Sequence, residues 1–279
     1  MNLKMQIDKA QSFRRMHDRS RPLLLPNAWD AGSARVFARL GFVAVATTSG
    51  GVAWSLGHAD GEHAPFDEVV AVARRIARAV DLPVTVDMEA GYGDTPEAIA
   101  ESVRRMIDAG AVGINIEDGV DASGALRDVA AAAGRIHAAR TAAVTSGVPI
   151  VINARTDAYL LEYGAGDAER FAETVRRAKA YLVAGADCIY PIGVADAATI
   201  AALVKAIDAP INVGARPGVP GVAELAGLGV ARVSTATRFA LVALSAVEGA
   251  AKELLEGGRF ECLVSRLGHA DMQRLFGAG

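Results

Sequence analysis

Three carboxylates at the ends of two neighbouring apolar runs are the residues of this chain best placed to do chemistry. The run Val84-Thr85-Val86-Asp87 continues into Met88-Glu89, and the run that starts near Val112 ends Asn115-Ile116-Glu117. A strand alternates its side chains with a period of two, so Asp87 and Glu89 are expected on one side, facing Glu117 on the next strand. Carboxylates gathered in a desolvated place repel one another unless protons or a cation intervene. Oxygen ligands with no histidine or thiol close by suit Mg²⁺, or else Mn²⁺, better than zinc. Taken singly, an acid at a strand end has a plainer use, which is to cap the helix that follows.

Two further segments bear on the same place. The second apolar run ends Thr47-Thr48-Ser49-Gly50-Gly51, and a long stretch leads from there to Asp60. Small residues let backbone N–H groups approach an oxyanion closely. The fifth run ends Asn153-Ala154-Arg155-Thr156-Asp157. Its guanidinium suits bidentate grip of a carboxylate, and equally an ion pair with the surrounding acids.

The elements that must position these groups recur along the chain. Val- and Ile-rich runs begin near Leu23, Val43, Val84, Val112, Pro149, Asp187, Ile211 and Ala231, each separated from the next by an Ala-rich stretch of helical period. Four of them follow a glycine, at Gly41, Gly110, Gly185 and Gly229, as expected where a helix ends in a left-handed residue. Alternating helices and near-continuous apolar strands imply a parallel sheet covered on both faces, and eight such units suggest closure into a (β/α)8 TIM-type barrel. The competing open sheet often carries G-x-G-x-x-G after its first strand, which is absent here. In a barrel all strand ends meet on one face, so the acids, the Ser-Gly-Gly segment and Arg155 would share a rim. Extra helices are expected over about residues 3–18 and, after Gly258, through Phe276. The domain reading is a barrel over 1–258 with its N-terminal helix, and a C-terminal helical extension over 259–279.

Bulk properties exclude several classes. Of 279 residues, 29 are Lys or Arg and 32 Asp or Glu, giving a net charge of −3 and no positive field for nucleic acid. The longest apolar run, Phe239 to Val247, falls well short of the roughly 20 residues that span a bilayer. The N-terminal residues lack the apolar core of a secretory signal, so a cytoplasmic location is expected. The two cysteines, Cys188 and Cys262, form no metal or redox spacing, and Cys188 reads as a buried, inert thiol.

The segment Asp87-Met88-Glu89-Ala90-Gly91-Tyr92-Gly93 resembles the D-x-[DE]-x-G-Y-G metal strand of the isocitrate lyase and phosphoenolpyruvate mutase superfamily, and the likeness extends over almost the whole chain. It implies Asp87 as the direct Mg²⁺ ligand, with Asp60, Glu89 and Glu117 acting mostly through bound waters. It implies Ser49, Gly50 and Gly51 as receivers of the carboxylate and oxo group of a small 2-oxo acid, Arg155 as carboxylate clamp and Asn212 as a polar contact. Tyr92, or a metal-bound water, is the proton donor that this reading leaves open. Relatives of this kind are typically homotetramers that exchange C-terminal helices.

Departures from the pattern narrow the chemistry. Isocitrate and methylisocitrate lyases carry K-K-C-G-H after the fourth strand, whereas this chain has Asp118-Gly119-Val120-Asp121-Ala122-Ser123-Gly124, with no thiol. Thr47 and Ile192 stand where those lyases have tyrosine and glutamate. The expectation is therefore a Mg²⁺-dependent carbon–carbon lyase passing through an enolate, as in oxaloacetate decarboxylation, which needs an electron sink but no base to start it. A C–P bond enzyme acting on phosphonopyruvate, or a 2-oxo acid binding protein without turnover, are the alternatives.

Overall fold

The computed structural model describes residues 2–120 and 124–277. Asp121, Ala122 and Ser123, within the loop compared above, lie outside the described residues.

The strands are β1 (Leu23–Leu25), β2 (Asn27–Ala28), β3 (Val45–Thr47), β4 (Val84–Asp87), β5 (Gly113–Glu117), β6 (Val151–Thr156), β7 (Cys188–Pro191), β8 (Asn212–Gly214) and β9 (Arg232–Ser234). All pair in parallel, in the orders β2-β3-β4-β5-β6-β7 and β1-β9-β8. The first apolar run is thus one barrel stave in two halves. Pro26 separates them, because proline has no N–H for a ladder; β1 pairs with β9 and β2 with β3. The other seam is a single parallel bridge, Ile189 to Ile211, where the Ile189 N–H donates to the Pro210 carbonyl at 2.9 Å. Eight staves therefore close into the barrel that the alternation of runs implies.

Eight helices coat the outside: Ala31–Arg39, Phe66–Ala79, Pro96–Ala109, Val129–Ser146, Asp167–Val183, Ala197–Ala206, Val222–Gly227 and Arg238–Gly257. The glycines that precede β5 and β7, Gly110 and Gly185, have φ of 109° and 108°, so each ends its helix in the left-handed region and turns the chain into the next strand. Apolar side chains fill the layer between strands and helices, with Ile76, Ile99, Met106, Ile114 and Ile152 all but inaccessible. The barrel axis is different. Thr85, Asn115, Asn153, Asn212 and Arg232 are buried polar residues on the strands.

The N-terminal helix runs Leu3–Arg15 and is tied to the barrel by Gln6, whose amide donates to the carbonyls of Ile107 at 2.7 Å and Ala111 at 2.9 Å. After Gly258 come a single 3-10 turn, Glu261–Leu263, and a helix, His269–Phe276, whose Leu275 carbonyl accepts from Arg35 and whose Phe276 ring lies 5.2 Å under that guanidinium. In the single chain this terminal helix thus packs on helix Ala31–Arg39. No helix among the described residues is long and apolar enough to cross a membrane.

Candidate active site

At the carboxyl ends of the strands a cleft of about 650 Å³ is lined by Ser49, Asp60, Glu89, Glu117, Arg155 and Asp157, among others. Below it lies a smaller cavity reaching into the barrel axis, bounded by Asp87, Asn115, Arg155, Tyr190, Asn212 and Arg232. Arg155 lines both.

Asp87 ends β4 opposite Asn115. Its Oδ1 accepts from the Asn115 amide at 3.0 Å, and Asn115 in turn accepts from the Asn153 amide at 2.7 Å, so an amide ladder across three strands fixes its orientation. Its Oδ2 accepts from the Ser49 N–H at 3.3 Å. These donors are neutral. Among the described residues, Asp87 forms no ion pair, and unlike Glu89 it accepts from no hydroxyl.

Glu117 sits on β5 directly opposite Arg155 on β6, and the two form an ion pair at 2.5 Å. Arg155 also grips Asp157 in bidentate fashion, Nε to Oδ1 at 2.6 Å and Nη2 to Oδ2 at 3.0 Å. Burial pushes the Glu117 carboxyl well above its ordinary range, against the pull of Arg155. Burial also works against the charge on Arg155, but Glu117 and Asp157 hold the guanidinium above its ordinary value. The Asp157 N–H donates to Asp118 Oδ1 at 2.8 Å, while Asp118 Oδ2 accepts from Arg177 at 3.1 Å and from the Tyr181 hydroxyl at 2.5 Å. A buried chain of charge therefore braces Arg155 from helix Asp167–Val183.

Glu89 does not continue the strand alternation. β4 stops at Asp87, and Glu89 and Tyr92 both adopt positive φ, 48° and 51°. The turn sends the Glu89 carboxylate toward the 61–62 backbone, where Oε2 accepts from the N–H of Gly61 at 2.8 Å and of Glu62 at 2.6 Å. Its Oε1 accepts from the Tyr92 hydroxyl. Tyr92 stacks on Phe66 at 4.7 Å, and burial together with the Glu89 bond pushes its phenol far above the ordinary range. Repulsion among the carboxylates is thus relieved by Arg155, by backbone N–H groups and by Tyr92, a compensation that strand spacing alone did not expose.

Burial pushes the Glu89 carboxyl up to about 7 from 4.5, with Asp87 and Asp60 adding to the rise and Tyr92 and the Glu62 N–H opposing it. A carboxyl raised in the folded state favours folding most below its unfolded value, and that advantage is lost as pH climbs through the folded one. We expect metal-free protein to lose on the order of 3 kcal/mol between pH 4.5 and pH 8 that Glu89→Gln does not lose. Urea unfolding of both proteins across that range checks this; parallel profiles would contradict it.

Ser49, Gly50 and Gly51 open a short helix, Ser49–Ser55, so their N–H groups are those a helix leaves without intrahelical partners. A Cβ at Gly51 would stand 2.8 Å from both Thr48 and Trp29, and one at Gly50 would stand 2.9 Å from Thr237 and 3.0 Å from the Asp60 carboxylate. Glycine is what lets this turn pack against Asp60 at one residue and against Trp29 at the next. Asp60 is exposed at the cleft edge, yet surrounding protein and the Asp87 charge both push its carboxyl up, while Ser49 bonds to it. Asn212 is fully buried on β8, donates to Ser234 at 3.0 Å and leaves Oδ1 without a partner.

The arrangement brings Ser49, Asp60, Glu89, Glu117 and Arg155 to one cleft, with Asp87 and Asn212 in the cavity below and Tyr92 behind Glu89. Among the described residues, no three His, Cys, Asp or Glu side chains converge into a ready-made metal cage. Mg²⁺ does not need one, since it keeps several waters and is usually held by one or two carboxylates plus the ligand. Asp87, oriented by neutral donors and in no ion pair among the described residues, fits that mode. Sequence reasoning missed Asp118, Asp157, Arg177 and Arg232. Arg232 was the most visible, as a lone cation inside the apolar run Ala231-Arg232-Val233. Cys188 is buried, and burial pushes its thiol up to about 12, in keeping with an inert role.

The chain is 32% identical over 267 residues to oxaloacetate decarboxylase from Rhodopseudomonas palustris, covering 88% of each. It is 33% identical to 2-methylisocitrate lyase from Escherichia coli over 72% of this chain and 68% of that one. A crystal structure from Burkholderia cenocepacia J2315, described as a candidate lyase/mutase, superposes with a TM-score of 0.90 at 38% identity, covering 99% of this chain and 98% of that one. The sequence model of the phosphoenolpyruvate phosphomutase family matches residues 13–255, and with this fold and these relatives the chain belongs to that family.

Proposed function

We propose that the protein is a Mg²⁺-dependent lyase that decarboxylates oxaloacetate or a close 2-oxo acid. The observation that carries this reading is Asp87, held at the end of β4 by an amide ladder, with no ion pair of its own among the described residues, beside a cleft lined by Arg155 and Ser49. Asp87 would bind the metal directly, with Asp60, Glu89 and Glu117 reached through its waters. The ion, when bound, supplies the electrophile that draws electrons toward the 2-oxo oxygen. The N–H groups of Gly50 and Gly51 donate to the same developing charge, and Arg155 orients the carboxylate. The bond between carbons 3 and 4 breaks, CO2 departs, and its electron pair becomes the enolate. Tyr92, whose hydroxyl is bonded to Glu89, is the group from which carbon 3 takes its proton.

The oxaloacetate decarboxylase relative supports this substrate over methylisocitrate, because the cysteine motif of the methylisocitrate lyases is missing here. Purified protein supplied with Mg²⁺ and oxaloacetate should release pyruvate well above the rate of Mg²⁺ alone. Pyruvate from phosphonopyruvate only would make it a C–P bond enzyme. Saturable binding with no product from oxaloacetate, phosphonopyruvate or 2-methylisocitrate would make it a binding protein.

Self-association belongs to the same reading. Helix Arg238–Gly257 exposes Phe239, Val242, Leu244 and Val247, an apolar face larger than scattered surface residues present. The homotetramer that the family resemblance implies would cover it, and sedimentation of the full chain reads the state.

A further inference from the structure

Arg155 is paired with Glu117 and Asp157, and the cleft holds a second guanidinium besides it. Arg127 lines the same cleft, half-buried, and has no ion pair among the described residues. Its Nε is buried without a hydrogen-bond partner. The adjoining acid, Asp128, instead caps helix Val129–Ser146 by accepting from the N–H groups of Ala130 and Ala131. Nor do the acids across the cleft pair with it: Glu89 is occupied by three donors, and Glu62 accepts from the Tyr92 N–H at 2.7 Å.

The backbone of Arg127 is meanwhile fixed from both sides. Its N–H donates to the Asp118 carbonyl at 2.8 Å, and its carbonyl accepts from Arg177 Nη1 at 2.9 Å. Asp118 and Arg177 are the same buried pair that braces Asp157, and through it Arg155. The two guanidiniums that border the cleft are thus carried on one rigid support. One is paired with protein carboxylates, and the other has no ion pair among the described residues. An unpaired, partly desolvated guanidinium facing a ligand-sized space is a receptor for a planar or tetrahedral oxyanion.

We propose that Arg127 recognises a second acidic group on the substrate, so that the preferred ligand is a diacid, a 2-oxo acid bearing a carboxylate or similar oxyanion on carbon 3. This rests on the 2-oxo acid reading above and narrows it. The test is calorimetric titration of full-length, Mn²⁺-loaded protein with two ligands of similar size. 2-Oxobutanoate has no distal acid, and 3-sulfopyruvate has one but no carboxylate to lose. Wild type should favour the diacid by roughly tenfold or more, the worth of a charge-assisted hydrogen bond. Arg127→Met should erase that preference while leaving the 2-oxobutanoate affinity within about twofold, and Arg127→Lys should restore part of it. Equal preference in wild type and Arg127→Met, or no preference in wild type, would overturn the role of Arg127 while leaving the 2-oxo acid function standing. Failure of wild type to bind either ligand would overturn both. Thermal unfolding of each variant separates loss of recognition from loss of fold.

Discussion

Replacing Asp87 with asparagine is expected to lower metal-dependent turnover on the order of a thousandfold, the consequence of losing a Lewis acid worth several kcal/mol. Asparagine keeps the volume and can still accept from the Asn115 amide or the Ser49 N–H, so the barrel should be little disturbed. What it removes is the charge. Asp87 forms no ion pair among the described residues and is held only by neutral amides, whereas Glu117 has Arg155 and Glu89 has a phenol and two backbone donors. Loss of Glu117 or Glu89 should therefore cost less than loss of Asp87. Steady-state kinetics over a series of Mg²⁺ concentrations reads the difference, and full activity of Asp87→Asn at saturating Mg²⁺ would remove the metal role.

Arg155→Met should affect stability as strongly as function. The guanidinium side chain is 15% exposed and its partners Glu117 and Asp157 are 19% and 6% exposed. Removing the cation leaves two desolvated carboxylates facing each other, and breaking a buried pair in this way costs about 3–5 kcal/mol. The pH dependence follows from the same charges. Burial already raises both carboxyls above their unfolded values of 4.5 and 3.8, and Arg155 is the main influence that lowers them. Without it both rise further. Protonated, the two carboxyls are tolerated, so the deficit of the variant should be small near pH 4 and should deepen as pH climbs through the raised folded values. Denaturant unfolding at a low and a neutral pH measures this. A deficit independent of pH would show that Arg155 contributes packing rather than charge. Weakened binding of 2-oxo acids is expected in addition, because the same side chain faces the cleft.

These two outcomes mark how far the sequence could be read. The barrel was legible because each apolar run is bounded by a glycine or proline whose backbone preference ends a helix, as at Gly110 and Gly185. Asp87 was legible because it closes the run Val84-Thr85-Val86. Glu89 was not, since the two-residue period holds only while the strand lasts, and β4 ends at Asp87. The pairing of Glu117 with Arg155 depends on the β5–β6 register, which places them side by side although they are far apart in sequence. Arg127 and Arg177 lie on a loop and an outer helix, where a cation is ordinary, so nothing in their sequence context set them apart. The polar barrel axis was concealed in another way. Asn115, Asn153 and Asn212 each sit inside an apolar run, where a single amide is easily read as a strand irregularity.

Asp87 would hold the divalent cation on which this reading depends, with the ligand's carboxylate and oxo group beside it. Crystals grown with Mn²⁺ and oxalate, measured for anomalous scattering, test it most directly. A manganese peak is expected at bonding distance from an Asp87 carboxylate oxygen, with oxalate bound beside it and reaching toward Gly50 and Gly51. A cleft holding oxalate with no metal at Asp87, or manganese bound only elsewhere on the chain, would contradict it.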